Sequence, residues 1–120
     1  MQHDTAPLKS ALVELCLERI TRFEDFERAE TSALEDVLKT LASALAEALE
    51  IFDEHLFSDR PEGWRVKDLR PRSVLTEFGE VAFTRRVYTD ECGDRRTYLD
   101  EIMSLRPRKR LSPGAFRALA

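Results

Sequence analysis

No glycine or proline falls between residues 8 and 57 of this chain, whereas both recur from Pro61 and Gly63 onward. These two residue types are the strongest local breakers of regular structure. The first half is therefore free to be helical, and the second half is punctuated into short elements. The apolar pattern changes at the same place. Leu34, Leu38, Leu41, Leu45, Ala48 and Phe52 follow a 4-3-4-3-4 spacing, the stripe of an amphipathic helix and almost three heptads of a coiled-coil seam. Beyond Gly63 the period becomes two. Val74, Thr76 and Phe78 alternate with Ser73, Leu75 and Glu77, and Val81, Phe83, Arg85 and Val87 alternate with Ala82, Thr84, Arg86 and Tyr88.

These patterns predict an α+β chain. Residues 1–60 form a helical hairpin that serves as an oligomerisation module. Residues 61–120 form an arginine-rich module: a small three-stranded antiparallel β-meander followed by a short C-terminal helix. The first helix is expected over residues 7–29, with Pro7 at its first position and Thr5 or Ala6 as cap. Its stripe of Leu8, Leu12, Leu15, Ile20, Phe23 and Phe26 is interrupted by Arg19 and Arg22. The second is expected over residues 32–57, because Ser32-Ala-Leu-Glu35 has the form of a capping box. One continuous helix is the alternative. Trp64 is expected to anchor a core, and Trp64–Pro71 to approach the sheet in extended form. Gly79 turns the first strand into the second. Asp90-Glu-Cys-Gly-Asp94 turns the chain into a third strand around Arg95–Leu99, with Gly93 at positive φ. Tyr98–Leu105 reads as a short helix or turn. Ser112 and Pro113 then begin a helix that reaches only Ala120, too short to be stable alone, so the chain is expected to continue in a longer protein.

The net charge of −4 conceals an asymmetry. Residues 1–60 carry 6 Lys/Arg against 14 Asp/Glu, and residues 61–120 carry 13 against 9, so the halves stand at −8 and +4. Most of the later cations are arginines, whose planar fork suits phosphate. Arg70, Arg72, Arg86, Arg95, Arg96, Arg108, Lys109 and Arg110 are the candidate contacts to double-stranded DNA. Arg85 shares a face with Val81, Phe83 and Val87 and is expected to be partly buried and structural, leaving Arg86 as the better contact. The competing reading is that Glu77, Glu80, Asp90, Asp94, Asp100 and Glu101 neutralise these arginines across the strands. Leu34, Leu38, Leu41, Leu45 and Phe52 are expected to hold a homodimer, in the manner of a four-helix bundle. No catalytic or metal-binding constellation is legible. Asp53, Glu54 and His55 are contiguous and point around a helix, as do Asp100 and Glu101, and Cys92 has no second thiol near it in sequence. The expectation is a non-enzyme without metal or cofactor. No apolar run approaches the roughly 20 residues of a membrane span. The N-terminus lacks a signal-peptide pattern, and Cys16 and Cys92 form no CxxC, so a cytoplasmic location is expected.

Four short motifs occur in order. They are Thr76-x-Phe-Gly-Glu-Val81, Arg85-Arg86-x-Tyr88, Tyr98-Leu-Asp-Glu101 and Ser112-Pro-Gly114. Together they resemble the amino-terminal region of ISLre-type insertion-sequence transposases, bacterial DDE-type proteins many of which are grouped only as an uncharacterised protein family. The similarity covers roughly residues 60–120, with a looser match in the helices. The resemblance implies descent from a transposase and contact with the DNA ends of a mobile element. It implies no activity here, because that family's catalytic carboxylates lie in an RNase H-like domain beyond the region matched. Some relatives look as though they carry a CxxC zinc knuckle at the turn where this chain has only Cys92. Two other readings stand beside this one: a self-assembly or interaction domain without nucleic acid, and an inert remnant of a decayed element.

Overall fold

The computed structural model describes residues 4–106. It contains α1 (Ala6–Arg22), α2 (Phe26–Ser58), β1 (Arg65–Thr76), β2 (Gly79–Thr89), β3 (Arg95–Arg96) and α3 (Tyr98–Ile102). This is the α+β order expected: two helices, a three-stranded antiparallel meander in the order β1-β2-β3, and a short helix. The helix expected after Ser112, and the candidate contacts Arg108, Lys109 and Arg110, lie outside the described residues.

The helices break earlier than their sequence suggests, at Phe23–Asp25 and not near residue 30. Phe23 turns to extended backbone (φ −106°, ψ 128°) while its N–H still closes on the Arg19 carbonyl. Asp25 then caps α2. Its Oδ1 accepts the Glu27 N–H at 3.0 Å, and its carbonyl accepts the Ala29 N–H. An Asp at this position satisfies a backbone donor that the first helical turn leaves unpaired, so no glycine or proline is needed. Ser32 and Glu35 fall inside α2, where no free N–H remains for a capping box. Ser32 Oγ instead accepts from Arg19 Nε at 2.9 Å.

The chain divides into two compact units within α2, the first through Lys39 and the second from Thr40. In the first, Arg19 bridges Glu18 and Asp36. Ala29 is the only buried residue of its described part, and α1 buries none.

The second unit holds a true core. Leu56, Val74, Val81, Phe83 and Leu99 are buried together, and Ala42, Leu45, Ala46, Leu49, Phe52, Tyr98 and Leu105 pack against them. The heptad seam is thereby divided. Leu45 and Phe52 are spent on the sheet, Leu38 is half-buried, and Leu34 and Leu41 stay exposed. Trp64 is buried as expected, with Tyr88 and Tyr98 at ring-centroid distances of 5.9 and 5.3 Å.

β1 begins at Arg65, so most of the expected approach segment is strand, with a register shift between Val66 and Asp68 that leaves Lys67 as an extra residue. Thr76 pairs with Gly79 across the two-residue loop Glu77–Phe78, and Gly79 takes φ 109°. β3 is shorter than expected, because Tyr98 already begins α3. β2 is flanked by β3 only at Tyr88 and Thr89. Elsewhere its outer edge meets α2: the Thr84 N–H donates to Glu50 at 2.8 Å, and the Arg86 N–H to Asp53 at 3.2 Å. Two acids one helical turn apart thus satisfy alternate donors of an open edge. The Thr84 N–H points away from β1, so its cross-strand partner Pro71 also faces outward. The donor that Pro71 lacks therefore falls on the free edge of β1, where no ladder bond is lost.

Tyr88 is fully buried, and its hydroxyl has no hydrogen-bond partner among the described residues. Burial, with the Asp53 charge added, pushes its pKa above the usual tyrosine value. The folded value exceeds the unfolded one, so this contribution to stability is complete below about pH 10 and is lost as pH rises through the folded value. Tyr88→Phe is expected to raise stability by about 1 kcal/mol at neutral pH, because it removes an unsatisfied buried hydroxyl. It should also remove the alkaline loss, as urea melts at neutral and alkaline pH would show.

Candidate nucleic-acid interface

Most arginines of the meander are held by carboxylates of the same fold. Arg85 is buried, as its face predicts. Its Nη2 donates to Asp100 Oδ2 at 2.9 Å, and its Nη1 to the Arg70 carbonyl at 3.0 Å. Arg72 reaches the same Asp100 oxygen from Nη1 at 2.8 Å, and its Nη2 donates to the Arg106 carbonyl at 2.6 Å. One buried carboxylate therefore serves two guanidinium groups, and α3 is pinned across β1 and β2. Arg72 is accordingly an internal tie and not an open contact.

Arg86 is also engaged. Its Nη1 donates to the buried Asp53 at 2.8 Å, and its guanidinium lies 4.7 Å from the centre of the Phe57 ring. Arg86 shares its face of β2 with Thr84 and Tyr88. At its Tyr88 end that face is closed, because Trp64 and Tyr98 cover the tyrosine ring. Arg96 donates to Glu101 at 2.6 Å and to Asp90 at 3.3 Å, and stacks 4.7 Å over Trp64. Hydrogen bonding to Glu101 raises its pKa further. Asp90 organises the turn that follows β2. Its Oδ1 accepts the N–H groups of Cys92 and Asp94 at 2.9 Å each. The Asp94 N–H, with those of Cys92 and Arg96, holds its carboxyl below the usual range. Gly93 takes φ 85° in the same turn.

The open cations of the described part of the meander are few and adjacent. Arg65, Lys67 and Arg95 are exposed and have no side-chain partner among the described residues. Arg65 pairs with Thr89 in the register, and Thr89 with Arg95, so the two arginines share one cross-strand row. Cross-strand partners lie on the same face of a sheet. Lys67 stands at the bulge beside them, and Arg70, half exposed, pairs with Asp68 at 3.2 Å. Of the candidate contacts in the described region, Arg95 is thus open, Arg70 is paired with Asp68 at the surface, and Arg72, Arg86 and Arg96 are engaged. Arg65 and Lys67, basic residues of the segment that leads into the meander, belong to the open set. Chemically such a cluster can neutralise phosphates, and it offers no converging nucleophile and base. Among the described residues no group of three His, Cys, Asp or Glu side chains could hold a metal ion, and no helix is long and apolar enough to cross a membrane.

Comparison with known proteins adds a family without adding a chemistry. Residues 19–119 match the pattern of an uncharacterised protein family, UPF0236. A Streptococcus gallolyticus protein described as "UPF0236 protein in vanSb 3'region" is 35% identical over 89 residues, which cover 69% of this chain and 20% of that protein. The chain therefore spans about a fifth of the length of the curated relative it matches. No solved structure matches it.

Proposed function

The chain belongs to the uncharacterised protein family UPF0236, and from that premise we propose that it is a non-catalytic, transposase-derived module that contacts double-stranded DNA and self-associates. The observation that carries the DNA reading is the open set of Arg65, Lys67 and Arg95 at one end of the meander. It agrees with the resemblance of the four motifs to insertion-sequence transposases. Contacts of this kind go to phosphate and supply affinity without base recognition. The lack of catalysis is supported by the use made of the buried acids, since Asp53 and Asp100 are each committed to arginine. Metal-assisted phosphoryl chemistry needs acids that converge on an open position.

The test is duplex binding measured against salt. Each phosphate contact contributes about 0.9 to the slope of log affinity on log salt. Changing Arg65, Lys67 and Arg95 together to alanine should flatten that slope by about two to three units without lowering thermal stability. If the unmodified chain shows no salt-sensitive binding to any duplex at low ionic strength, the DNA reading fails. An interaction domain without nucleic acid would then take its place. That second reading is favoured by the internal neutralisation of Arg72, Arg85, Arg86 and Arg96.

A further inference from the structure

The first unit exposes a second apolar stripe that its own fold does not use. On α1, Leu12 and Leu15 are half-buried, while Val13, Leu17 and Ile20 are 55%, 60% and 57% exposed. Their 4-3 spacing extends back through Ser10 and Ala6, a seam of two heptads. A helix of 17 residues with no buried residue is marginal by itself, because nucleation costs nearly as much as its hydrogen bonds return. Something must therefore cover this stripe for the unit to be well ordered.

The charges beside the stripe identify the cover. Lys9 and Glu14 are exposed, and their side chains have no partner among the described residues. With Ser10 and Leu17 at the a positions and Ala6, Val13 and Ile20 at d, Lys9 takes g and Glu14 takes the next e. In a parallel pair of helices, g of one helix faces the following e of the other, so Lys9 of each copy meets Glu14 of the second copy. An antiparallel pair sets e against e and g against g, so Lys9 and Glu14 would not meet. We propose that α1 binds α1 of a second copy of this chain in parallel, through Val13, Leu17 and Ile20, with two Lys9–Glu14 pairs flanking the seam. This rests on the self-association half of the proposed function and moves it from the α2 seam to α1.

Sedimentation of the full chain and its variants tests the placement, with helix content by circular dichroism as a control for folding. Wild type should be a dimer at micromolar concentration, and Leu17→Asp should be a monomer whose helix content falls by no more than the 17 residues of α1. Lys9→Glu and Glu14→Lys should each weaken the dimer about tenfold, since attraction at two symmetry-related sites becomes repulsion. The double variant Lys9→Glu/Glu14→Lys should return to near wild-type affinity. A dimer indifferent to Leu17→Asp, or a double variant no tighter than either single one, would overturn the α1 interface while leaving self-association standing. A monomeric wild type would overturn both.

Discussion

Asp100→Ala is expected to cost the second unit about 3–5 kcal/mol, the loss typical of removing one partner from a buried ion pair. The carboxylate is almost wholly buried and holds Arg85 and Arg72 at 2.9 and 2.8 Å. Its removal leaves the Arg85 guanidinium buried without its carboxylate and takes the same carboxylate from the part-buried Arg72. Arg85, on the central strand, has no exposed path along which to relax. The loss would be a large share of the 5–15 kcal/mol that stabilises a typical domain. Urea unfolding at neutral pH measures it. Glu101→Ala is the matched control, because Glu101 meets Arg96 at the surface, and it should shift the midpoint far less. An Asp100→Ala midpoint as little changed as that of Glu101→Ala would mean that the two arginines do not depend on Asp100.

Leu56→Ala is expected to cost about 2–4 kcal/mol, from the lost transfer energy and the cavity left behind. Leu56 sits in the core with Val74, Val81, Phe83 and Leu99. Leu34, of the same residue type on the same helix, is 56% exposed. Leu34→Ala should change stability by no more than about 0.5 kcal/mol. Unfolding of both variants at one protein concentration gives the comparison directly. Equal losses would show that the apolar face of α2 is covered evenly along its length, and would contradict the division of the seam between sheet and surface.

Much of the second half was legible because its signals are local. Gly79 and Gly93 both take positive φ, in turns marked by their neighbours. Alternation placed Val81, Phe83, Arg85 and Val87 on one face, and all four are buried. Trp64 joined a core, as a lone tryptophan beside a strand suggests. The helix boundary misled because Ser32-Ala-Leu-Glu35 and Asp25 both carry capping chemistry. A cap signal is read from two or three residues, and here Asp25 and not Ser32 holds the free N–H of the first turn.

The sequence by itself determined the change from a helical to a strand period, the turns between strands and the buried side of β2. Each follows from contacts between residues two to four positions apart. Tertiary structure alone decided which arginines are open. Arg72 finds Asp100 across 28 residues, and Arg86 finds Asp53 across 33. At such separations any of the chain's acids could serve, and composition cannot choose among them. The same holds for Glu50 and Asp53, whose helical spacing acquires meaning only beside the uncovered edge of β2. A guanidinium is held by the carboxylate that folding brings within about 3 Å of it, and periodicity does not encode that distance.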